Sequence, residues 1–208
     1  MKKRLPLLGL GTLLAAGLFA LTFRGPRRRF WDRMTITGLV LGGLALAAQP
    51  PLRRIRFSLK GVLLGILSAA GLYGIFFLGD RLSRIVVPQG GEQIVEIYEL
   101  KRIRPRAELM ARLGLIIGPA EELFWRGFLQ RGLMDLVGPF WGTLIGVFAY
   151  GGAHIASGNL TLVGAATVAG AFWGGLYGLG VPLSTLIVSH ILWDNFIFLI
   201  APTTKLEG

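Results

Sequence analysis

The sequence predicts an all-α fold, a polytopic transmembrane helical bundle of about seven spans. Of its 208 residues 53% are hydrophobic and only 16% charged, and the mean hydropathy is +0.62. Apolar stretches of about twenty residues recur along the chain, with Lys and Arg gathered in the short segments between them. Such a composition departs from that of soluble domains toward membrane spans, and roughly 20 apolar residues cover a hydrocarbon core of ~30 Å. A single integral membrane domain over 1–208 is expected, with N-terminal spans in 1–80, a polar and amphipathic connector in 81–112 and a core carrying the chemistry in 113–203.

Residues 5–23 form the first span. Lys2, Lys3 and Arg4 precede it in the charge order of a signal peptide, but the run is long and no small-x-small site closes it, so it reads as retained. Residues 35–49 are shorter and meet Pro50-Pro51, which ends a helix; this piece crosses thinly, tilts little or re-enters. Residues 60–79 form the next span. In 92–104, Ile94, Ile97, Leu100 and Ile103 make one apolar stripe beside glutamates and bases, which predicts an interfacial amphipathic helix or a solvated linker helix. Pro105 separates it from a helix in which Glu108 and Arg112 form an i, i+4 pair. Residues 107–137 begin and end polar and hold an acidic pair in the middle, and 139–156, 159–179 and 181–201 complete a count of seven, with six or eight as its neighbours. Glycines at 138, 142 and 146 and at 170, 174 and 178 put small residues on one face at every fourth position, a feature that lets helices approach closely in lipid.

The formal charge of +11 and the pI near 11.1 would suggest a nucleic-acid partner in a soluble chain. Here the bases lie in loops and no binding module accompanies them, so no such partner is expected. Segments 24–33 and 80–112 hold five and seven Lys and Arg, against three and four in the N-terminal tail and 51–60, which favours an outside N-terminus. With no cysteine, disulfides, thiolate metal sites and a cysteine nucleophile are excluded.

From 113 to 203 the ionisable side chains are few: Glu121, Glu122, Arg126, Arg131, Asp135, His154, His190 and Asp194. Arg131 and Asp135 read as an interfacial pair. Ionisable groups within apolar helices are costly and face a bundle interior or a water-filled cavity, so the other six define a candidate site. Glu122 and Arg126 are i, i+4 in the favoured order, and Glu121 lies about 100° round the helix. Glu122 is therefore the structural partner of Arg126, and Glu121 projects into a cavity. Pro119 either disrupts the helix there or starts a new one. Tyr150 with His154, and His190 with Asp194, each share a face.

A carboxylate beside an imidazole can take a proton from water, and a second imidazole with another donor can stabilise an oxyanion. Peptide hydrolysis fits this inventory. No HExxH is present; Glu121, His154, His190 and Asp194 could still hold one divalent, zinc-like metal, and a metal-free glutamate mechanism stands beside that reading. Ser157, Ser184 and Ser189 lack a GxSxG setting. Two other readings stand beside hydrolysis: a non-catalytic membrane scaffold or immunity-type factor, and an ion or proton transporter, which would call for an internal repeat that the two halves do not display.

The combination EELFWRG, YGGAH and HILWD resembles the three-part signature of the CAAX protease and bacteriocin-processing (CPBP, Abi) family, similar to the type II CAAX prenyl endopeptidase. Glu121, Glu122 and Arg126, then Tyr150 and His154, then His190 and Asp194 match its order and spacing. The resemblance implies an intramembrane endopeptidase of metallo or glutamate type, with Glu121 as general base, His154 as its partner, and His190 with Asp194 as oxyanion donors. Glu122, Arg126, Tyr150 and Asn195 would support them. Membrane lipid and a peptide or protein substrate, in some members lipidated, would be the partners, in a bacterial or archaeal cell membrane. Two positions depart from the family pattern: Tyr150 stands where Phe is more usual, and Asp194, when ionised, accepts hydrogen bonds but donates none.

Overall fold

The structure, a computed structural model, describes residues 4–204, and among them it contains helices and no strand. Helix α1 (Arg4–Arg24) is followed by α2 (Phe30–Ala48), α3 (Leu59–Val86) and α4 (Gly90–Glu99). A continuous helical run then comprises α5 (Arg106–Arg112), α6 (Gly118–Glu122) and α7 (Arg131–Val137), joined by π-helical turns at Leu113–Ile117 and Leu123–Gln130. Helices α8 (Pro139–Ala153), α9 (Leu160–Gly178) and α10 (Leu183–Asn195) close the bundle, the last extended by a π turn over Phe196–Ile200.

Four helical stretches are long and apolar enough to cross a membrane: Leu5–Arg24, Leu59–Val86, Leu160–Gly178 and Leu183–Ile200. They coincide with four of the long apolar runs. The fifth run, 139–156, gives a helix of only 15 residues, because Ala153 passes into a tight 3-10 turn at His154–Ser157 that ends at Gly158 in a left-handed conformation. Residues 35–48 lie in one uninterrupted helix, α2, which is capped by the non-helical Gln49 before Pro50, so this segment does not fold back on itself. Leu13, Leu21, Leu67, Leu78 and Ile85 are exposed on the outer faces, as suits helices solvated by hydrocarbon rather than water.

The run from α5 to α7 is the axis of the bundle. Every residue from Phe124 to Gln130 is buried, and Phe124, Phe128 and Leu129 pack in one core with Phe19 of α1 and Leu41 of α2. A second core of Leu72, Ala169, Trp173 and Leu186 joins α3, α9 and α10. Of the helix expected over 92–104, α4 ends at Glu99 and Leu100–Ile103 form a 3-10 turn; from its stripe Ile94 is buried, as is Tyr98 beside it, because the ends of α3 and α9 leave a hollow beneath α4 that Ile94, Ile97 and Leu100 help to wall.

The glycine faces do pack. A methyl group at Gly142 would overlap the backbone of Met134, and one at Gly146 would lie 3.3 Å from Gln130 Cβ, which seats α8 on α7 and on the π turn before it. Across the α8–α9 contact, methyls at Gly170 and Gly178 would approach Tyr150 Cδ1 to 2.9 Å and Thr143 Oγ1 to 2.7 Å. Gly138 is the exception: it has open space around it and serves the turn before α8 at φ +88°, a conformation that suits glycine. Gly142→Ala should therefore lower the melting temperature of the detergent-solubilised protein, at a cost of about 1–3 kcal/mol for overpacking. Gly43→Ala in α2, where a methyl meets nothing within 4 Å, should be neutral or mildly stabilising.

Candidate active site

Pro119 does not interrupt its helix. The preceding turn is widened, so that Gly118 N–H bonds the carbonyl of Leu113, five residues back; the wider turn accommodates a ring that would otherwise meet a carbonyl and a residue that has no N–H to give. Behind it, Gly42 of α2 brings its backbone against Ala120, where a Cβ would lie 3.0 Å away. The acidic pair thus sits at the centre of the bundle on a backbone fixed from one side.

Glu122 is completely buried and Arg126 nearly so. Arg126 Nη1 donates to Glu122 Oε1 at 3.0 Å, and His190 Nδ1 donates to the same oxygen at 2.8 Å. The guanidinium also lies over the rings of Tyr150 and Trp173, at 4.7 and 5.5 Å. Trp173 in turn stacks on His190, with centroids 4.0 Å apart and planes 20° off parallel. Its indole N–H donates to Ser189 Oγ at 3.0 Å, and Ser189 meets Ser68 of α3 at 2.9 Å. His190 is thereby fixed in position and in plane, and its Nε2 lies 3.4 Å from Asp194 Oδ2.

Glu121 turns the other way, to a cavity of about 730 Å³. Its Oε2 accepts from the Tyr150 hydroxyl at 2.8 Å, which gives that hydroxyl its partner. His154 Nδ1 lies 2.9 Å from the Tyr150 carbonyl; a carbonyl only accepts, so Nδ1 carries the hydrogen and Nε2 of the neutral ring is left with a lone pair, an assignment inferred from the network. The imidazole is wedged by Tyr150, Phe19 and Phe23, with centroids 5.1 to 5.6 Å away.

Glu121, Tyr150, His154, His190 and Asp194 all line the one cavity. Its remaining wall is chiefly apolar, with Phe76, Ile94, Leu113, Ala166 and Ile197 among the lining residues. Asn195 is not part of it; the amide donates to the Ile191 carbonyl at 2.8 Å. The sequence reading missed three things: the Glu122–His190 bond, the Trp173 stack, and the use of Phe19 and Phe23 from α1. Only the last left a local sign, a pair of aromatics one helical turn apart.

The donor set does not suit a resident metal. Among the described residues no three His, Asp or Glu side chains gather at metal-ligand spacing. Both ring nitrogens of His190 already face carboxylates, whereas a zinc-type catalytic centre takes three protein ligands around an open position.

A polar chamber of carboxylates and imidazoles enclosed by apolar helices marks a membrane-embedded helical protein with a candidate hydrolytic site. Residues 105–196 match the family described as type II CAAX prenyl endopeptidase Rce1-like, the type of protease whose three motifs the chain resembles. The match takes in all three motifs and leaves α1 to α4 outside it. No curated protein and no solved structure matches the chain.

Because Glu122 Oε1 serves two partners, removing either charge of the buried pair leaves the other uncompensated. Glu122→Ala and Arg126→Ala should each destabilise the protein by about 3–5 kcal/mol, read as a lowered melting temperature in detergent. Arg131→Ala, which breaks an exposed pair with Asp135 and a contact with Tyr177, should shift it by about 1 kcal/mol or less.

Proposed function

We propose that the protein is an intramembrane endopeptidase of CAAX type that hydrolyses a peptide bond with water activated by Glu121. The observation that carries this reading is the gathering of Glu121, His154, His190 and Asp194 on one cavity whose remaining wall is chiefly apolar. In the proposed step, a water lies between Glu121 and His154 Nε2. Glu121 takes one of its protons as the oxygen attacks the carbonyl carbon, and the lone pair at Nε2 accepts the second hydrogen and orients the water. The carbonyl electrons move onto oxygen, which is met by the proton shared between His190 Nε2 and Asp194. Whichever of those two atoms holds that proton, the pair offers one donor. Collapse breaks the C–N bond, the proton taken by Glu121 passes to the leaving amine, and the acyl half departs with the new carboxyl group.

Three groups have supporting work in this scheme. Glu122 positions His190 through Nδ1, Arg126 holds the Glu122 carboxylate by donating to the same oxygen, and the Tyr150 hydroxyl occupies one oxygen of Glu121. The apolar remainder of the cavity suits an apolar peptide segment or a lipid-modified one. We read α2, the α5–α7 run and α8 as membrane-embedded too, which with the four stretches named above as long and apolar enough to cross makes seven.

Glu121→Gln should lower cleavage of a peptide substrate by at least ~100-fold, the scale of general-base catalysis, with the melting temperature unchanged. Cleavage at the parent rate would remove Glu121 from the chemistry. Activity should also persist after exhaustive dialysis against a chelator; loss that zinc restores would favour a metal-bound nucleophile instead.

A further inference from the structure

Helix α9 lays its largest side chain against His190, and the hydrolysis described above gives that side chain no part. Trp173 is wholly buried in the core it shares with Leu72, Ala169 and Leu186. A buried indole needs a partner only for its N–H, and Ser189 Oγ supplies one at 3.0 Å. Packing alone would be met by many orientations of the ring. Here the indole lies flat on the His190 imidazole, with centroids 4.0 Å apart and planes 20° off parallel, whereas Trp193 meets it edge-on at 5.5 Å.

That flat contact supplies a restraint that the imidazole lacks elsewhere. Its Nδ1 is bonded to Glu122 Oε1 at 2.8 Å, but its Nε2 lies 3.4 Å from Asp194 Oδ2, beyond the usual range of a firm hydrogen bond. Rotation about the Cβ–Cγ bond would carry Nε2 out of its place, and a single bond at Nδ1 tolerates a spread of angles. A surface parallel to the ring blocks that rotation, because either sense of turn drives one edge of the imidazole into it. The indole is itself held: Ser189, one residue before His190 in α10, takes its N–H, and Ser68 of α3 meets Ser189 at 2.9 Å.

The contact also bears on charge. While Nε2 holds the proton it shares with Asp194, the imidazole donates at both nitrogens and is a cation, and the negative face of an indole attracts a cation laid over it. A developing oxyanion is met best by a donor already in place, since nothing then has to reorganise during the reaction. We propose that Trp173 is a positioning residue for this hydrolysis, acting through His190 to keep Nε2 aimed at the oxyanion. The inference rests on the peptidase reading above and adds to it a residue outside the three motifs.

The test uses the full chain in phosphatidylcholine nanodiscs, an internally quenched apolar peptide as substrate, and the variants Trp173→Phe, Trp173→Leu and Ser189→Ala. Trp173→Leu should lower kcat by about 10- to 100-fold with KM unchanged, since a misplacement of ~1 Å costs on the order of 100-fold. Trp173→Phe should recover most of that loss: Phe and Leu both lack the N–H, and only Phe keeps an aromatic face. Ser189→Ala, which frees the edge of the indole, should give a smaller loss, again in kcat. The chain has two histidines, so protein isotope-labelled at histidine gives two sets of ring signals, assigned with His154→Gln. The carbon-bound ring protons of His190 should lie upfield, over the indole face, and move downfield in Trp173→Leu.

The parent kcat in Trp173→Leu, a loss confined to KM, equal losses in the Phe and Leu variants, or His190 signals that stay in place in Trp173→Leu would each overturn the proposal. If Trp173→Leu does not fold, Ser189→Ala decides: a lowered kcat with the parent KM and displaced His190 signals supports the proposal, and the parent kcat overturns it. Absence of cleavage by the parent protein, with His190 signals that do move in Trp173→Leu, would count against the peptidase reading and leave the indole's hold on the ring standing.

Discussion

One carboxylate oxygen, Glu122 Oε1, joins the guanidinium of Arg126 to the imidazole of His190 in the driest part of the bundle. Charges there are tolerated only when paired, and this pair fixes the relation between the central helical run and α10. Trp173 adds α9 to the same junction by stacking on His190, and Ser189 with Ser68 adds α3. Four helices thus meet through one buried charge cluster, and the cavity lies on its open side. The cluster is better regarded as a device for position than as a source of stability, since desolvation offsets much of what such pairs gain.

Glu121, one residue earlier, is released from that duty. Adjacent carboxylates on a helix cannot both point at one guanidinium, so the first goes to the cavity and the second to the core. The widened turns on both sides of α6 serve this arrangement. They let the helix pass through Pro119 without a break and keep the acidic pair in the bundle's centre, and such turns are often found at functional sites.

Much of this was legible in the residues because the relevant physics is local. The Glu122–Arg126 pair follows from helical spacing, the four helical stretches apolar and long enough to cross a membrane follow from their apolar runs, and the α8–α9 contact from glycines at every fourth position. What could not be read depends on contacts between distant segments. Glu122 and His190 are 68 residues apart, and nothing near either one announces the other. The cavity walls supplied by α3 and α4 carry only generic apolar side chains, and the fate of Pro119 turned on the i−5 bond from Gly118 to Leu113, for which the sequence has no marker. Residue 194 was ambiguous as a donor or an acceptor from its type alone; its distance to His190 makes the two a proton-sharing pair in the scheme proposed above.

The account depends on water, and not a side chain of the protein, attacking the carbonyl inside the bundle. Single-turnover cleavage of a peptide in water enriched in oxygen-18, followed by mass spectrometry of both product and protein, tests that most directly. The expected result is one heavy oxygen in the new carboxylate, appearing at the rate of amine release, with the protein's own mass unchanged at every time point. A protein species heavier by the acyl fragment, or one that hydroxylamine traps, would mean a covalent intermediate and would contradict the account.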